Sequence, residues 1–206
     1  MSTSLTIQGL QDKKFILASG SPRRRELIQL LGLDHKVITS NFPETIDKNG
    51  ISPEEYVTQT ALGKTKEVWD RIQPDVMTIG ADTVVVLDNE ILEKPKDAQH
   101  AKLMLQKLNG KSHHVLTSVI LIYPTTNGPK TIKLLERTDV EFGTLTESMI
   151  DAYVNTNHPL DKAGSYGYQG LGSVLIKRID GCFYNVIGLP VYRLIKELQD
   201  IYNIQS

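Results

Sequence analysis

The chain has very little cysteine, no long apolar run and almost no net charge. Cys182 is the single cysteine among 206 residues, which excludes an intrachain disulfide and a metal site built from several cysteines. No run of 18 apolar residues is present, so we expect no membrane-spanning helix. The formal net charge of −1 argues against a protein that binds nucleic acid through charge alone. The first 14 residues are polar and lack the apolar core of a secretion signal, so we expect a cytoplasmic protein.

The composition is otherwise ordinary for a folded globular protein, with 40% apolar and 23% charged residues. We expect a short N-terminal extension over residues 1–14 and a single domain over residues 15–206. Patterns typical of buried strands alternate with amphipathic helical patterns, and some neighbouring strands are joined by short turns. The sequence therefore predicts an α/β fold with a mixed β-sheet and flanking helices.

Local patterns predict where the elements lie along the chain. Apolar and β-branched runs predict strands at 15–19, around 36–39, at 76–81 continued by 84–87, and at 91–92, 114–123, 131–142 and 173–177. Helical spacing and capping residues predict helices at 22–31, 53–71, 98–108 and 146–155, with a last helix starting at 190. We expect a polar loop over 40–50 and a glycine-rich loop over 164–172.

The segment from Ile16 to Arg25 is the most informative part of the sequence. An apolar strand is followed by a turn, and Ser21 and Pro22 are typical of a helix start. Arg23 and Arg24 then lie in the first turn, beside the positive end of the helix dipole, where like charges repel. That cost favours an anion at this position, and phosphate suits it because arginine binds phosphate oxygens in pairs. From this segment alone, it is equally plausible that Arg23 and Arg24 are simply exposed to solvent and bind no anion.

Asp82 and Lys64 are charged residues in apolar surroundings. Asp82 follows a nearly continuous apolar run, and a carboxylate at the C-terminal end of a buried strand is typical of α/β active sites. It is a candidate metal ligand or general base, with a turn-forming aspartate as the alternative. Lys64 shares a helix face with Val57, Ala61 and Val68. It therefore either points inward to an anion or extends along the apolar surface to solvent.

Further candidates lie in two loops and after the predicted hairpin. Pro95 makes the preceding Lys94 extended, so this lysine can project across a site, although a solvated lysine is the alternative. Glu44, in the polar loop, is a weaker candidate. In the segment 161–172, glycines alternate with aromatic residues and an Asp-Lys pair, which favours a binding loop over a flexible linker. Gln169 offers both a donor and an acceptor, which suits the edge of a base.

Common phosphate and metal motifs are absent from the sequence. The Gly-Lys-Ser at 110–112 has Leu105 where a P-loop requires its first glycine. His113 and His114 begin a predicted strand, so their side chains should face opposite ways and should not bind one metal together. The sequence gives no support to a P-loop protein or to a histidine metal centre.

Taken together, several segments resemble the Maf family of nucleoside triphosphate pyrophosphatases. They follow one another in order through nearly the whole chain, from about residue 15 to residue 200, and their joint match is specific. The matching segments are 17–24 (Leu-Ala-Ser-Gly-Ser-Pro-Arg-Arg), Ala61 with Lys64, 80–83 (Gly-Ala-Asp-Thr), 93–95 (Glu-Lys-Pro), 161–170, 180–181 (Asp-Gly) and 188–190 (Gly-Leu-Pro).

This resemblance implies hydrolysis of a nucleoside triphosphate to the monophosphate and pyrophosphate with a divalent cation, Mg²⁺ or Mn²⁺. It implies house-cleaning of the nucleotide pool, a homodimer, and an elongated fold, similar to that of inosine triphosphatases, with two lobes around a central cleft. The Ser-Pro-Arg-Arg start and the Tyr-Gln-Gly segment resemble the branch that acts on dTTP and UTP, and modified pyrimidine nucleotides fit the same description. Tyr168 stands where that branch more often has an aliphatic residue.

The resemblance implies that Asp82, the aspartate of the Gly-Ala-Asp-Thr motif, is the general base and that Arg24, Thr83 and Gln169 are specificity positions. The charges of the other candidates extend this to a hypothesis for the whole site. Lys64 and Lys94 are expected to assist catalysis. A divalent cation would bridge phosphate oxygens and the carboxylates of Asp82 and Glu44. The residues expected to bind the base or the phosphates of the substrate are Ser21, Arg23, Arg24, Thr83, Lys162 and Gln169.

Two other functions are compatible with the sequence. A non-catalytic nucleotide-binding regulator, for example of cell division or septum formation, would bind nucleotide but release no pyrophosphate. A kinase or phosphotransferase would transfer a phosphate, but the missing P-loop argues against it. The products formed from a panel of nucleotides separate all three. We expect a nucleotide as the partner, and neither nucleic acid nor a membrane.

Overall fold

The computed structural model describes residues 9–204 as a seven-stranded β-sheet with helices on both faces. Residues 1–8 of the predicted extension lie outside the described residues. The strands are β1 (Lys14–Ala18), β2 (Asp34–Val37), β3 (Met77–Leu87), β4 (Glu90–Leu92), β5 (Ser112–Tyr123), β6 (Lys130–Phe142) and β7 (Ile176–Asp180). The helices are α1 (Pro22–Leu30), α2 (Pro53–Ile72), α3 (Ala98–Leu108), α4 (Glu147–Val154), α5 (Phe183–Ile187) and α6 (Val191–Ile201).

Helix starts follow the capping rules that the sequence predicts. The Ser52 hydroxyl accepts a hydrogen bond from the Glu55 amide at 3.1 Å at the start of α2. Asp97 and Thr146 cap α3 and α4 in the same way. Each cap satisfies one of the amide groups that a helix start leaves without an acceptor. Between residues 9 and 204, none of the helices is long and apolar enough to cross a membrane.

The sheet has the strand order β2-β1-β3-β5-β6-β7, with β4 paired to β3. β1 runs parallel to both β2 and β3, whereas β5, β6 and β7 continue the sheet by antiparallel pairing. Asp88 and Asn89 join β3 to β4 in a tight turn, and both have the positive φ that such a turn requires. The predicted α/β fold with a mixed sheet and flanking helices is confirmed.

One edge of β3 is only partly covered. β1 pairs with it up to Ala18, opposite Gly80, and β4 pairs with it from Val85, opposite Leu92. Neither strand covers residues 81–84 of this edge, although β5 pairs along the opposite edge throughout. β1 and β4 both end toward this uncovered stretch, which we call the β3 gap, so the residues that follow them reach it from opposite sides.

Alternate residues of β3 face different layers of the molecule. Val84 and Val86 pack against α2 on one face of the sheet. On the other face, Ala81 belongs to a cluster formed with α1 and α6, whereas Val85 belongs to a second cluster formed with α3 and α4. This face of the sheet thus carries two separate apolar clusters.

The prediction that the strand stops at Ala81 and that Asp82 follows its C-terminal end is wrong. β3 runs through Asp82 and Thr83 without a break, and these residues pair with Ser118 and Thr117 of β5. A polar pair inside an apolar run resembles a turn in sequence. The strand continues because both side chains find polar partners where they stand.

The predicted strand over 173–177 is misplaced. Residues Gly170–Leu175 form a 3₁₀ helix, closed by a hydrogen bond from the Ser173 hydroxyl to the Gly170 carbonyl oxygen at 2.8 Å, and β7 starts only after it. The strand expected around 36–39 begins two residues earlier, as β2, where it pairs with β1. No local pattern predicts the short helix α5.

Candidate active site

A cleft of about 600 Å³ opens at the β3 gap. Its walls come from the end of β1, the start of α1, the polar loop, α2 and β3, together with residues after β4 and in the segment 161–169. Every predicted site residue lines it: Ser21, Arg23, Arg24, Glu44, Lys64, Asp82, Thr83, Lys94, Lys162 and Gln169. Residues that are far apart in sequence therefore share one cavity.

Lys64 lies at the buried end of the cleft between two carboxylates. Its ammonium nitrogen is 2.8 Å from Asp82 Oδ1 and 2.9 Å from Glu44 Oε1. Of the two orientations that its helical spacing allows, the inward one is observed. The side chains of Lys64 and Asp82 are 16% and 12% exposed, whereas that of Glu44 is 53% exposed. We call these three residues the Lys64 cluster.

Burial is the main influence on the Asp82 carboxyl group. It raises the pKa of Asp82 above its ordinary value, while the positive charges of Lys64 and Arg24 act to lower that pKa. Asp82 therefore accepts a proton at a higher pH than an exposed aspartate would. That is the direction required of a carboxylate that serves as a general base near neutral pH.

The start of α1 faces the cleft. The Ser21 hydroxyl lies 3.5 Å from the Arg24 amide, and Pro22 occupies the first helical position. The Ser21 amide donates to the Ser19 hydroxyl at 3.2 Å. No acidic side chain occupies the first turn, so its positive end is open to an anion in the cleft.

Arg24 is held by the protein itself. Its guanidinium donates to the Gly188 carbonyl oxygen at 2.8 Å, to the Thr83 hydroxyl at 2.9 Å and to the Ser19 hydroxyl at 3.3 Å. The Thr83 hydroxyl in turn lies 2.9 Å from the Thr117 hydroxyl. Arg24 thus joins the end of β1 to β3 and to the turn after α5, with donors left over for a ligand.

Arg23 and Lys162 share one carboxylate across the cleft. Arg23 Nη1 is 2.9 Å from Asp161 Oδ2, and Lys162 Nζ is 2.6 Å from Asp161 Oδ1. The Lys162 stem lies against Gly167, where a Cβ would come within 2.8 Å of its Cδ and Cε atoms. We call Asp161, Arg23 and Lys162 the Asp161 cluster. It joins the start of α1 to the glycine-rich segment 161–172.

Lys94 and Gln169 line the cleft with exposed side chains. Across residues 9–204, Lys94 forms no ion pair and the Gln169 amide group forms no hydrogen bond. Both side chains are therefore open to a ligand.

Sequence reasoning missed a hydrogen-bonded group beside the cleft. Tyr56 and Lys48 both donate to the Glu93 carboxylate. Tyr56 lies on the apolar face of α2, so helical spacing indicates a core residue and nothing more. Lys48 is one of several charged residues in a polar loop, and no local pattern distinguishes it.

Beside Lys64 the cleft offers a cation two carboxylates, those of Asp82 and Glu44. Within the described part of the chain, no three His, Cys, Asp or Glu side chains are grouped as metal ligands. His113 is buried, with Nε2 at 2.6 Å from the Tyr166 hydroxyl. Asp82 and Glu44 already surround one positive charge, that of Lys64, so a second cation beside them would meet two carboxylate groups.

The arrangement can bind a polyanion and activate water beside it. Cationic side chains and a helix start line the opening, while a buried carboxylate lies where the sheet is uncovered. Such a site suits hydrolysis at a phosphorus atom. The cations can neutralise the phosphate charge, and the carboxylate can accept a proton from the attacking water.

The sequence matches a family model described as "Maf-like protein" over residues 14–201. A protein named dTTP/UTP pyrophosphatase from Bacillus cytotoxicus is 48% identical over 187 residues, which cover 91% of this chain and 95% of the relative. One of the same name from Bacillus thuringiensis subsp. konkukian is 47% identical over 192 residues, 93% of this chain and 97% of the relative. Among solved structures, a HAM1 protein from Coxiella burnetii aligns over 91% of this chain and 99% of its own, with 15% identity and a TM-score of 0.46.

Proposed function

Since the chain belongs to the Maf family, we propose that it is a pyrophosphatase that hydrolyses dTTP and UTP to the nucleoside monophosphate and pyrophosphate. The observation that carries the proposal is the position of Asp82. Asp82 lies within the β3 gap, and its buried carboxylate is beside Lys64 and lines the same cleft as the open start of α1. The names of the relatives supply the substrates, and the same site suits modified pyrimidine nucleotides.

In this reaction Asp82 accepts a proton from the water that attacks the α-phosphorus. The bond to the bridging oxygen breaks, and pyrophosphate leaves with its electron pair. Lys64 stabilises the ionised form of Asp82 before the attack. Lys94 and the cations of the Asp161 cluster neutralise the phosphates as charge shifts toward the leaving group. No covalent intermediate is needed.

A divalent cation, Mg²⁺ or Mn²⁺, fits the donor set of the Lys64 cluster. Asp82 and Glu44 would supply hard oxygen ligands, and the triphosphate would supply the others, since Mg²⁺ in nucleotide enzymes is commonly bound through one or two carboxylates and substrate phosphates. When bound, such an ion supplies charge neutralisation on the phosphates. Lys64 would then share its two carboxylates with the ion.

Base recognition is proposed for Gln169 and Thr83. Gln169 is exposed at the cleft and can donate to and accept from the edge of a pyrimidine. Thr83 is already engaged with Arg24 and Thr117, so its hydroxyl has a fixed position.

We further propose that the protein is a cytoplasmic homodimer that removes unwanted nucleoside triphosphates from the nucleotide pool. We propose neither nucleic acid nor a membrane as a partner. The net charge of −1 and the single cysteine support this setting. Leu171, Val174 and Tyr184 are exposed and offer apolar surface to a second copy. Sedimentation at several protein concentrations tests the dimer, and a monomer at every concentration would contradict it.

The activity is tested by incubating the purified protein with dTTP, UTP, CTP and GTP in H₂¹⁸O, with Mg²⁺ or Mn²⁺. We expect dTMP and UMP with pyrophosphate, and the ¹⁸O in the monophosphate because water attacks the α-phosphorus. Release of inorganic phosphate, or ¹⁸O in pyrophosphate, would contradict the proposed reaction. Binding without any product would instead support a nucleotide-binding regulator, and transfer of phosphate to an acceptor would support a phosphotransferase.

A further inference from the structure

Glu93 is the meeting point of three segments that line the cleft. Its carboxylate accepts hydrogen bonds from the Tyr56 hydroxyl and the Lys48 ammonium group. Its backbone carbonyl oxygen accepts from the Gly164 amide at 3.1 Å. The Lys48 ammonium nitrogen also lies 5.5 Å from the centroid of the Tyr56 ring. We call Glu93, Tyr56 and Lys48 the Glu93 junction.

Each member of the junction lies on a segment that carries a site residue. Tyr56 lies about two turns before Lys64 on α2. Lys48 follows Glu44 in the polar loop, and Glu93 directly precedes the cleft lysine of the Glu-Lys-Pro motif. The junction therefore connects the parts of the chain that must keep a fixed spacing around a ligand.

The junction groups are held in their hydrogen-bonding states. Tyr56 is only 2% exposed, and burial together with its hydrogen bond to Glu93 raises the pKa of its hydroxyl, so it remains a donor. Burial acts to raise the pKa of Glu93, but hydrogen bonds from Lys48 and Tyr56, together with the positive charges of Lys48 and Lys64, outweigh it and lower that pKa. Glu93 thus stays charged, with its oxygens engaged by the junction.

A second attachment holds the other end of the polar loop. The backbone N–H of Asn41 donates to the Glu67 carboxylate at 2.9 Å. The Phe42 ring packs on Gly63 of α2, where a Cβ would come within 2.3 Å of it. Glu44 lies between this attachment and the junction, and its half-exposed carboxylate is held by a single ion pair within residues 9–204.

We propose that the Glu93 junction positions the polar loop so that the Glu44 carboxylate stays beside Lys64 and meets the cation that accompanies the nucleotide. This inference rests on the proposed function. Lys48, Tyr56 and Glu93 are positioning residues, because they act through Glu44. Without Lys48 the loop loses its polar contact with Glu93 and keeps its attachment at residues 41–42 and the packing of Ile46 on the apolar cluster around Val57. The position of Glu44 relative to Asp82 is then less tightly fixed.

The test replaces Lys48 by methionine, which removes the charge and keeps the apolar stem. Two measurements follow: amide hydrogen exchange over residues 43–49, and Mn²⁺ binding by electron paramagnetic resonance with a non-hydrolysable dTTP analogue. In Lys48→Met we expect faster exchange and a rise of roughly five- to tenfold in the Mn²⁺ dissociation constant. Lys48→Arg should retain the wild-type values. Lys66→Met is the matched control, since it removes an exposed α2 ion pair with Asp70.

A double-mutant cycle separates positioning from general destabilisation. If Lys48 acts through Glu44, Lys48→Met should change Mn²⁺ binding less than twofold in a Glu44→Gln background. Additive losses, or unchanged Mn²⁺ binding in Lys48→Met, would overturn the inference. Failure of the proposed function has a different outcome: wild-type protein that releases no pyrophosphate from dTTP or UTP, while Lys48→Met still weakens Mn²⁺ binding.

Discussion

The Lys64 cluster and the Asp161 cluster have opposite compositions. In the first, one cation lies between two carboxylates, and in the second, one carboxylate lies between two cations. The first leaves one negative charge uncompensated and the second leaves one positive charge. One end of the cleft therefore carries an excess of negative charge and the other an excess of positive charge, which is the charge distribution that the proposed metal-bound triphosphate would need.

The two clusters also differ in burial, which decides how strongly each charge acts. The Asp82 side chain is 12% exposed, whereas that of Asp161 is 58% exposed. Charge pairs interact more strongly where water is excluded, and exposed pairs are worth about 0–1 kcal/mol. Substitutions in the Lys64 cluster should therefore have larger effects than substitutions in the Asp161 cluster.

The largest effect is expected from Asp82→Asn. Loss of the general base should lower kcat for dTTP by about 10²–10⁴-fold, measured as pyrophosphate release. Asp70→Asn, which removes an equal charge from an exposed ion pair, is the control and should keep full activity. Near-full pyrophosphate release by Asp82→Asn would remove Asp82 from the mechanism.

A smaller but still large effect is expected from Lys64→Met, with roughly 10²-fold lower kcat at neutral pH. Lys64 acts to lower the pKa of Asp82, so its loss raises that pKa further. Activity that needs ionised Asp82 should then be lost at a higher pH than in the wild type as the pH falls. The pH dependence of kcat/KM measures this shift, and an unchanged acid limb would contradict it.

At the exposed end, Asp161→Asn should increase apparent affinity. A triphosphate must displace Asp161 from Arg23 and Lys162, so removing the carboxylate should lower KM for dTTP by about two- to fivefold, with little change in kcat. Steady-state kinetics at low salt measures the change, again beside Asp70→Asn. A higher KM would mean that the carboxylate holds the cleft in its binding shape.

The smallest effect is expected from Arg25→Ala. This third arginine of the motif is exposed and forms no ion pair in the described part of the chain. Its removal should change kcat/KM for dTTP by less than about twofold, as for most exposed substitutions. A loss comparable to that of Arg23→Ala would show that charge in the first turn of α1 matters more than its position.

The sequence predicted well those helices and turns that are determined by a few neighbouring residues. Helix α2 starts where Ser52 caps it, and the turn between β3 and β4 needs the positive φ of Asp88 and Asn89. Such features depend on a few neighbouring residues. The position of Asp82 within β3 could not be predicted in this way, because the residue that makes it tolerable there, Lys64, is 18 positions away.

The same limit applies to the candidate site. Matching motifs identified residues that do line one cleft, but not how they pair. Arg23 meets Asp161 across 138 positions, and no periodicity records such a contact. The role of Arg24 in joining β1 to Thr83, and the hydrogen bond from Tyr56 to Glu93, likewise appear only in the folded chain.

Because of the β3 gap, the lengths of β1 and β4 determine how much of the cleft is open to a ligand. At about 3.3 Å per residue, the uncovered residues 81–84 span roughly 13 Å, and two more paired residues on β1 would close about half of it. Such an insertion would add backbone hydrogen bonds to the sheet while covering the edge beside Asp82. A protein with a fully paired β3 edge would therefore be more stable but less active. Selection for activity would keep residues 81–84 unpaired, against selection for stability.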